Sequence, residues 1–146
     1  MKNLNVNIMA KDNFSRACER SLDKRRKRKN HYSMERVNFY QNKIQEVLTE
    51  YLADLRQPAN KDIDFVPISD KEKNHFQIIA MGWEKDERIF NLLFHLDIIG
   101  DKIWVQEDKM EESIAEKLVE KGLSKKDIVL AYFPDYHRSY TEYAVS

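Results

Sequence analysis

Within residues 88–99, every second side chain from Phe90 to Ile98 is apolar, and this period constrains the fold of this 146-residue chain more than any other feature. Successive side chains of a β-strand point to opposite faces of a sheet, so a period of two predicts one long strand. Its polar face carries Asn91, His95 and Asp97. A sheet with one apolar face needs a helix or a second sheet to cover it. The predicted core-facing side chains of this strand are Phe90, Leu92, Phe94, Leu96 and Ile98.

Two helices are predicted from apolar side chains that recur at steps of three and four. The first begins at Met34 and ends before Pro58 and Asn60. The second follows Asp108, which with Glu111 has the spacing of a capping box, and it is expected to end at Gly122. The apolar stripe of the first helix consists of Val37, Tyr40, Ile44, Val47, Leu48, Tyr51, Leu52 and Leu55.

Four further segments have the composition of strands. Pro67 marks the first of them as an edge strand, because proline cannot donate to a sheet ladder. Gly100 and Asp101 suit a two-residue type II′ turn. The segments are 63–68, 75–83, 102–106 and 128–133. The order predicts an α+β fold: a long N-terminal helix, an antiparallel β-meander, a second helix and a closing C-terminal strand.

The net charge of zero is the sum of two segments of opposite sign. Residues 1–30 carry ten basic and three acidic side chains, a net charge of +7, and the rest of the chain carries −7. We therefore predict a basic, disordered extension over residues 1–33 and one domain over residues 34–146. The extension could instead be in-frame sequence upstream of a start at Met34. Its six consecutive basic side chains are a candidate for nucleic-acid binding: Lys24, Arg25, Arg26, Lys27, Arg28 and Lys29.

Several classes of function lack their usual sequence signals. No apolar run approaches the ~20 residues of a membrane span, and the single cysteine, Cys18, excludes an internal disulfide. The four histidines are dispersed, without the spacing of a zinc motif. Neither a glycine-rich phosphate loop nor a nucleophile elbow is present. We expect a cytoplasmic protein that has no metal site, no cofactor and no catalytic residues.

The turn at Gly100 sets a register that brings polar side chains together on the reverse of the sheet. In that register Asp97 faces Trp104 and His95 faces Gln106, and directly opposed residues share a face. We interpret these four residues as a partner-binding face. An acid–base role is the alternative, although the strand rise predicts a water-bridged His95–Asp97 pair rather than a tight dyad.

A second possible site, Asp97 with Glu107-Asp108-Lys109, echoes the Asp…Glu-x-Lys arrangement of metal-dependent nucleases. The predicted register sets Glu107 opposite Phe94, on the other face from Asp97, so we reject it. The aromatic C-terminal tail is expected to close the core at a sheet edge. With Arg138, it is a second candidate contact for a partner.

The residues from Met34 onward resemble the XisI family, the excision controlling factors of the fdxN DNA element. His95-x-Asp97-Ile98 and Lys102-Ile103-Trp104-Val105-Gln106 are the most specific parts of the match. Departures from the family pattern fall at Lys109-Met110, Ser124 and Ala131. The matching segments are MERVNFYQNKIQEVLTEY, HFQIIAMGW, FHLDIIGDKIWVQED and IAEKLVEKGLSKKDIVLAYFPDYHRSYTEYAV.

The resemblance implies an XisI-like fold and a non-enzymatic, accessory role in programmed DNA excision, in which a recombinase performs the strand chemistry. The expected partner is an XisH-type protein, and a homo-oligomer is a further expectation. Two alternatives stay open: an antitoxin-like inhibitor of a nuclease-fold partner, and a DNA binder acting through the basic arm. The candidate partner-binding residues are His95, Asp97, Trp104, Gln106 and Arg138.

Overall fold

A computed structural model of the chain describes residues 34–146. Two short 3-10 turns, Pro58–Asn60 and Lys125–Asp127, connect its regular elements. The helices are α1 (34–55), α2 (Ile114–Glu120) and α3 (Asp135–Arg138). The strands are β1 (Ile63–Asp70), β2 (His75–Glu84), β3 (Glu87–Ile99), β4 (Lys102–Asp108) and β5 (Ile128–Leu130).

The five strands form one sheet in the order β1-β2-β3-β4-β5. The first four pair antiparallel as a meander, which confirms the predicted α+β fold. Pro67 lies in the edge strand β1, as predicted. The last strand is shorter than predicted and pairs parallel with β4, because α2 carries the chain back across the sheet before β5 begins.

Helix α1 covers the inner face of the sheet with its apolar stripe. Tyr40, Ile44 and Tyr51 are buried, and the Tyr51 ring lies 5.7 Å from the ring of Phe94 in β3. The two tyrosine hydroxyls also anchor the helix, since Tyr40 donates to the Asp101 carbonyl at 3.0 Å and Tyr51 to the Glu112 carbonyl at 2.6 Å. Burial raises the pKa of both phenols, which keeps them as neutral donors.

The predicted core face of β3 is correct over its second half and wrong over its first. Phe94 and the alternate residues after it are buried, but Phe90 is 63% exposed. The cause is a β-bulge at Leu93: Ile78 pairs with Phe94, whereas Ile79 pairs with Leu92. The extra residue reverses the alternation, so Phe90 and Leu92 lie on the outer face.

Helix α2 begins at Ile114, three residues after the predicted capping box would end. Asp108 still caps it, because its carboxylate accepts from the Ile114 backbone N–H at 3.0 Å and from the Ser113 hydroxyl at 3.2 Å. Its other oxygen accepts from the Met110 N–H at 3.1 Å. The predicted reciprocal role of Glu111 is wrong, since Glu111 lies exposed in the loop before the helix.

The two predicted glycine positions are confirmed. Gly100 has φ +63° in the β3–β4 turn, as the first central residue of a type II′ turn requires. Gly122 has φ +101° and follows α2. There the Gly122 and Leu123 N–H groups donate to the carbonyls of Val119 and Leu118, the paired bonds of a Schellman motif.

The C-terminal tail lies along the β5 edge of the sheet, as predicted. Ala144 forms a parallel bridge with Val129 and donates its N–H to the Ile128 carbonyl at 2.9 Å. Within residues 34–146, no helix combines the length and hydropathy that a bilayer crossing requires. The predicted basic arm, Lys24–Lys29, and Cys18 lie outside the described residues.

Replacing Asp108 by alanine should lower the free energy of unfolding by about 1–2 kcal/mol, because it removes a helix cap and leaves the Ile114 N–H without its acceptor. Urea denaturation followed by circular dichroism measures the change. Glu111→Ala is the matched control and should stay within about 0.5 kcal/mol of the wild type, as exposed substitutions usually do. Equal losses in the two variants would contradict this account of the cap.

Candidate partner-binding site on the outer sheet face

The polar site lies on the outer face of the sheet, away from α1. In β2, Phe76 and Ile78 are buried in the core, so His75 and Gln77 point to the outer face. Strand pairing then sets His75 opposite Asp97 and Gln77 opposite His95. We call the five outer-face residues that hydrogen-bond to one another the Asp97 cluster: His75, Gln77, His95, Asp97 and Gln106.

Asp97 is the centre of this cluster. Its Oδ1 lies 2.6 Å from His75 Nδ1 and 2.7 Å from His95 Nε2, and its Oδ2 accepts from Gln106 Nε2 at 3.0 Å. His95 also contacts Gln77, with 2.8 Å between Nδ1 and Oε1. The predicted water-bridged pair is therefore wrong, because the His95 ring reaches along the strand to bond Asp97 directly.

The register predicted for Gln106 is only partly correct. Asp97 faces Trp104 as expected, but His95 pairs with Glu107, because β4 contains a second bulge at Gln106. Gln106 still joins the cluster through its bond to Asp97. The predicted pairing of Glu107 with Phe94 is also wrong, since Asp108 takes that position.

The electrostatics of Asp97 follow from these bonds. Partial burial raises the pKa of its carboxyl, but the hydrogen bonds from His75 and His95 oppose burial and bring the pKa below its ordinary value. The side chain of Asp97 is 14% exposed, against 24% for His95 and 51% for His75. The cluster therefore holds a carboxylate at neutral pH and presents histidine nitrogens at the surface.

Trp104 and Arg138 lie beside the cluster and contact each other. The Arg138 guanidinium carbon is 5.5 Å from the centre of the Trp104 ring, a cation–π distance. Arg138 also donates from Nε to the Phe133 carbonyl at 2.9 Å and pairs with Asp135 at 2.7 Å. Most of its side chain is buried, so any contribution of Arg138 to a partner contact would come chiefly from positioning Trp104.

Apolar side chains extend the outer face beyond the Asp97 cluster, toward β1 and toward the β2–β3 turn. Ile68 is 43% exposed, Trp83 56% and Phe90 63%. Met81 pairs directly with Phe90, so their side chains share this face. A sheet face that presents several large apolar side chains to solvent is typical of a contact surface.

Sequence reasoning missed His75 and Gln77. The turn at Lys85 and Asp86, read without a bulge, sets His75 opposite Leu96 rather than Asp97. The extra residue Leu93 shifts the pairing by one and brings His75 to the carboxylate. The sequence signals for that shift are Ile89 and Leu93, two apolar residues at positions that the alternation assigns to the polar face and that pack against the core in the structure.

The same shift bears on metal binding. One ligand atom from each of His75, His95 and Asp97 lies within 4.8 Å of the others. The spacing of histidines along the chain predicts no zinc site. Strand pairing nevertheless brings together His75 and His95, which are 20 positions apart.

A cavity of about 640 Å³ lies elsewhere, between the end of α1 and strand β1. Arg56, Pro58 and Phe65 are among its lining residues. No residue of the Asp97 cluster lines it. The cluster and this cavity are therefore separate features of the described chain.

The fold and its outer face define a small α+β domain in which a helix covers one side of a meander and the other side carries an exposed polar and apolar surface. The chain belongs to the XisI protein family, whose pattern matches residues 34–145. This confirms the resemblance found in the sequence. No protein of curated function matches the chain.

Two solved structures from Anabaena variabilis are similar to this chain. An XisI-like protein is 35% identical, with a TM-score of 0.69, over 75% of this chain and 99% of that protein. The second is named as the fdxN element excision controlling factor XisI. It is 25% identical, with a TM-score of 0.64, over 76% of this chain and 99% of its own.

Replacing Asp97 by asparagine should lower the free energy of unfolding at pH 7 by about 1–3 kcal/mol, since it removes a charged acceptor from three hydrogen bonds. The lowered pKa of Asp97 means that its stabilisation is present above the unfolded-state pKa and is lost as the pH falls through the folded-state value. The difference between wild type and Asp97→Asn should therefore shrink in acid.

Urea titrations at several pH values between neutrality and pH 2 measure this difference. The matched control is Asp86→Asn, at an exposed aspartate in the β2–β3 turn. Its curve should run parallel to that of the wild type. A constant difference between wild type and Asp97→Asn across the whole range would contradict the role given to the Asp97 carboxylate.

Proposed function

We propose that this chain is a non-enzymatic controlling factor for the excision of a DNA element, and that it acts in the cytoplasm by binding an XisH-type partner through the outer face of its sheet. The family membership supports the controlling role, because one similar structure is named as an fdxN element excision controlling factor. The observation that carries the binding site is the Asp97 cluster, a fixed polar group beside Trp104 on an exposed sheet face.

The composition of the outer face supports protein binding. Trp104 and the exposed Phe90 and Trp83 supply the large apolar and aromatic surface that dominates interface energies. The Asp97 cluster supplies donors and acceptors held in place by strand pairing. Because these polar groups are already oriented by one another, a partner would have little conformational entropy to remove from them on binding.

Charge supports a basic partner. Residues 34–146 contain 15 basic and 22 acidic side chains, a net charge of −7. Such a domain repels the phosphate backbone of duplex DNA and attracts a basic protein, such as one that itself binds DNA. A controlling factor of this kind would reach the DNA element through its partner.

The geometry of the cluster supports a role without catalysis. A substrate site is usually a concave pocket that encloses its ligand and excludes water. The Asp97 cluster lies on a sheet face, and the cavity between α1 and β1 is lined by other residues. The His95–Asp97 bond would then serve to fix the shape of a contact surface.

The consequence of binding follows from the partner's chemistry. If the partner is a nuclease-fold protein, an acidic domain seated on its basic surface would compete with DNA for that surface. Binding would then restrain DNA processing until the complex dissociates. If restraint of the partner, rather than control of excision, is the biological role, the chain would be an antitoxin-like inhibitor.

Replacing Trp104 by alanine should weaken the complex with an XisH-type protein by about 30-fold, the effect of losing about 2 kcal/mol from a central aromatic contact. His95→Ala should weaken it as well, because it disrupts the polar group next to Trp104. Co-purification in moderate salt, followed by calorimetric titration, measures both losses.

Phe39→Ala is the matched control for this experiment. Phe39 is an exposed aromatic residue of α1, on the opposite side of the sheet from the cluster. Its replacement should leave partner affinity unchanged. If the wild type fails to retain the partner, or if Phe39→Ala weakens the complex as much as Trp104→Ala, the proposed surface is wrong.

A second candidate function is direct DNA binding through the basic arm, favoured by the run of six basic residues at 24–29. Six phosphate contacts would give an affinity that falls with salt at a log–log slope of about −5. Replacing Lys24–Lys29 by glutamine should then abolish retardation of duplex DNA. Wild-type protein that gives no retardation at low salt would exclude this function.

A further inference from the structure

We propose that His75, His95 and Asp97 bind one divalent transition-metal ion, for which Zn²⁺ is the suitable probe. The three candidate ligand atoms lie within 4.8 Å of one another. Two imidazole nitrogens and a carboxylate oxygen are a ligand set that zinc accepts, and hard cations such as Mg²⁺ prefer oxygen alone. This inference replaces the expectation from histidine spacing that the chain has no metal site.

The ligands come from two paired strands in the sheet. His75 lies in β2, and His95 and Asp97 lie in β3, with Asp97 directly opposite His75. Sheet pairing fixes the backbones that carry the three side chains. The alternate side chains of both strands are buried on the inner face of the sheet. A site built on rigid elements loses little entropy when an ion orders it.

Two glutamines orient the ligands from outside. Gln77 Oε1 lies 2.8 Å from His95 Nδ1, so an N–H at Nδ1 can donate to it and leave Nε2 directed at Asp97. Gln106 donates to Oδ2 of Asp97 and leaves Oδ1 to face both histidines. Outer partners of this kind fix the tautomer of ligating histidines in known metal sites.

The ion would replace protons. In the metal-free form, hydrogen bonds of 2.6 and 2.7 Å join His75 Nδ1 and His95 Nε2 to Asp97 Oδ1. Zinc bonds of about 2.0–2.2 Å hold neighbouring ligand atoms slightly further apart, so the ligands must move outward by a few tenths of an ångström. Each ligating ring is a neutral imidazole that carries its remaining N–H on the other nitrogen, Nε2 in His75 and Nδ1 in His95, and any further proton passes to solvent.

His75 is the ligand that can move most freely, because half of its side chain is exposed. Three protein ligands leave one tetrahedral position for water or for a group from another molecule. The site lies on the face proposed for partner binding, but it does not depend on that proposal. The isolated chain supplies all three ligands.

The test is a calorimetric titration of the full 146-residue chain with Zn²⁺, repeated with Co²⁺ and followed by visible absorption. The wild type should bind at the cluster and show the absorption bands of tetrahedral Co²⁺. His75→Ala with His95→Ala should lose both signals. Gln77→Ala should keep the site but weaken it by about 10–100-fold, as removal of an outer partner does.

His137→Ala is the matched control, because His137 stacks on Phe133 in the tail and is not one of the three grouped ligands. It should bind Zn²⁺ as the wild type does. Circular dichroism checks that each variant is folded. Zinc should raise the Tm of the wild type and of His137→Ala, and it should leave the Tm of the double variant His75→Ala with His95→Ala unchanged. The proposal is overturned if the double variant titrates like the wild type, or if His137→Ala loses as much binding.

Failure here is distinguishable from failure of the proposed function. Partner retention that persists in a chelator, with no Zn²⁺ binding by the isolated chain, would reject the metal site and leave the partner surface standing. Zinc binding by the isolated chain, with no retention of the partner, would support the metal site and reject the partner surface.

Discussion

The pairing of β2 with β3 depends on one extra residue, Leu93, and the site depends on that pairing. On the turn side of Leu93 the two strands pair in one register, and beyond it they pair one residue further along. The carbonyl of Leu93 accepts from the Lys109 N–H at 2.8 Å, so the bulge also ties the end of β4 to the middle of β3. Without the shift, the same turn would set His75 opposite Leu96 and Phe76 opposite His95, so that the polar side chains of β2 and β3 would not meet on one face.

Asp97 makes this register favourable on the outer face. A largely buried carboxylate is costly unless its oxygens are hydrogen-bonded, and here donors from β2, β3 and β4 reach it. One side chain thereby links three neighbouring strands across the outer face of the sheet. The inner face achieves the same cohesion by apolar packing, with the rings of Tyr51 and Phe94 in contact.

The elements of this fold were predictable because their signals are local. The periodic stripe of α1, the edge position of Pro67 and the turn at Gly100 each follow from a few adjacent residues, and the structure agrees with all three. The bulges at Leu93 and Gln106 were not predictable, because a bulge is decided by the balance of packing on both faces of paired strands. Four residues of the candidate site, His95, Asp97, Trp104 and Gln106, were predicted from the sequence, whereas His75 and Gln77 required the true register. The predicted start of α2 was also wrong, because Asp108 caps the helix from six residues before its first residue, Ile114.

Both margins of the sheet are closed to further strands. At β1, Pro67 lacks an N–H to donate, and at β5 Ala144 bridges to Val129 and its N–H occupies the Ile128 carbonyl. Natural sheets use such devices to prevent the edge-to-edge addition that leads to fibres or strand exchange. Another molecule would therefore gain little by extending this sheet sideways. Association through the outer face of the described domain would instead stack one sheet on another, which uses up that face and offers no edge to a further strand.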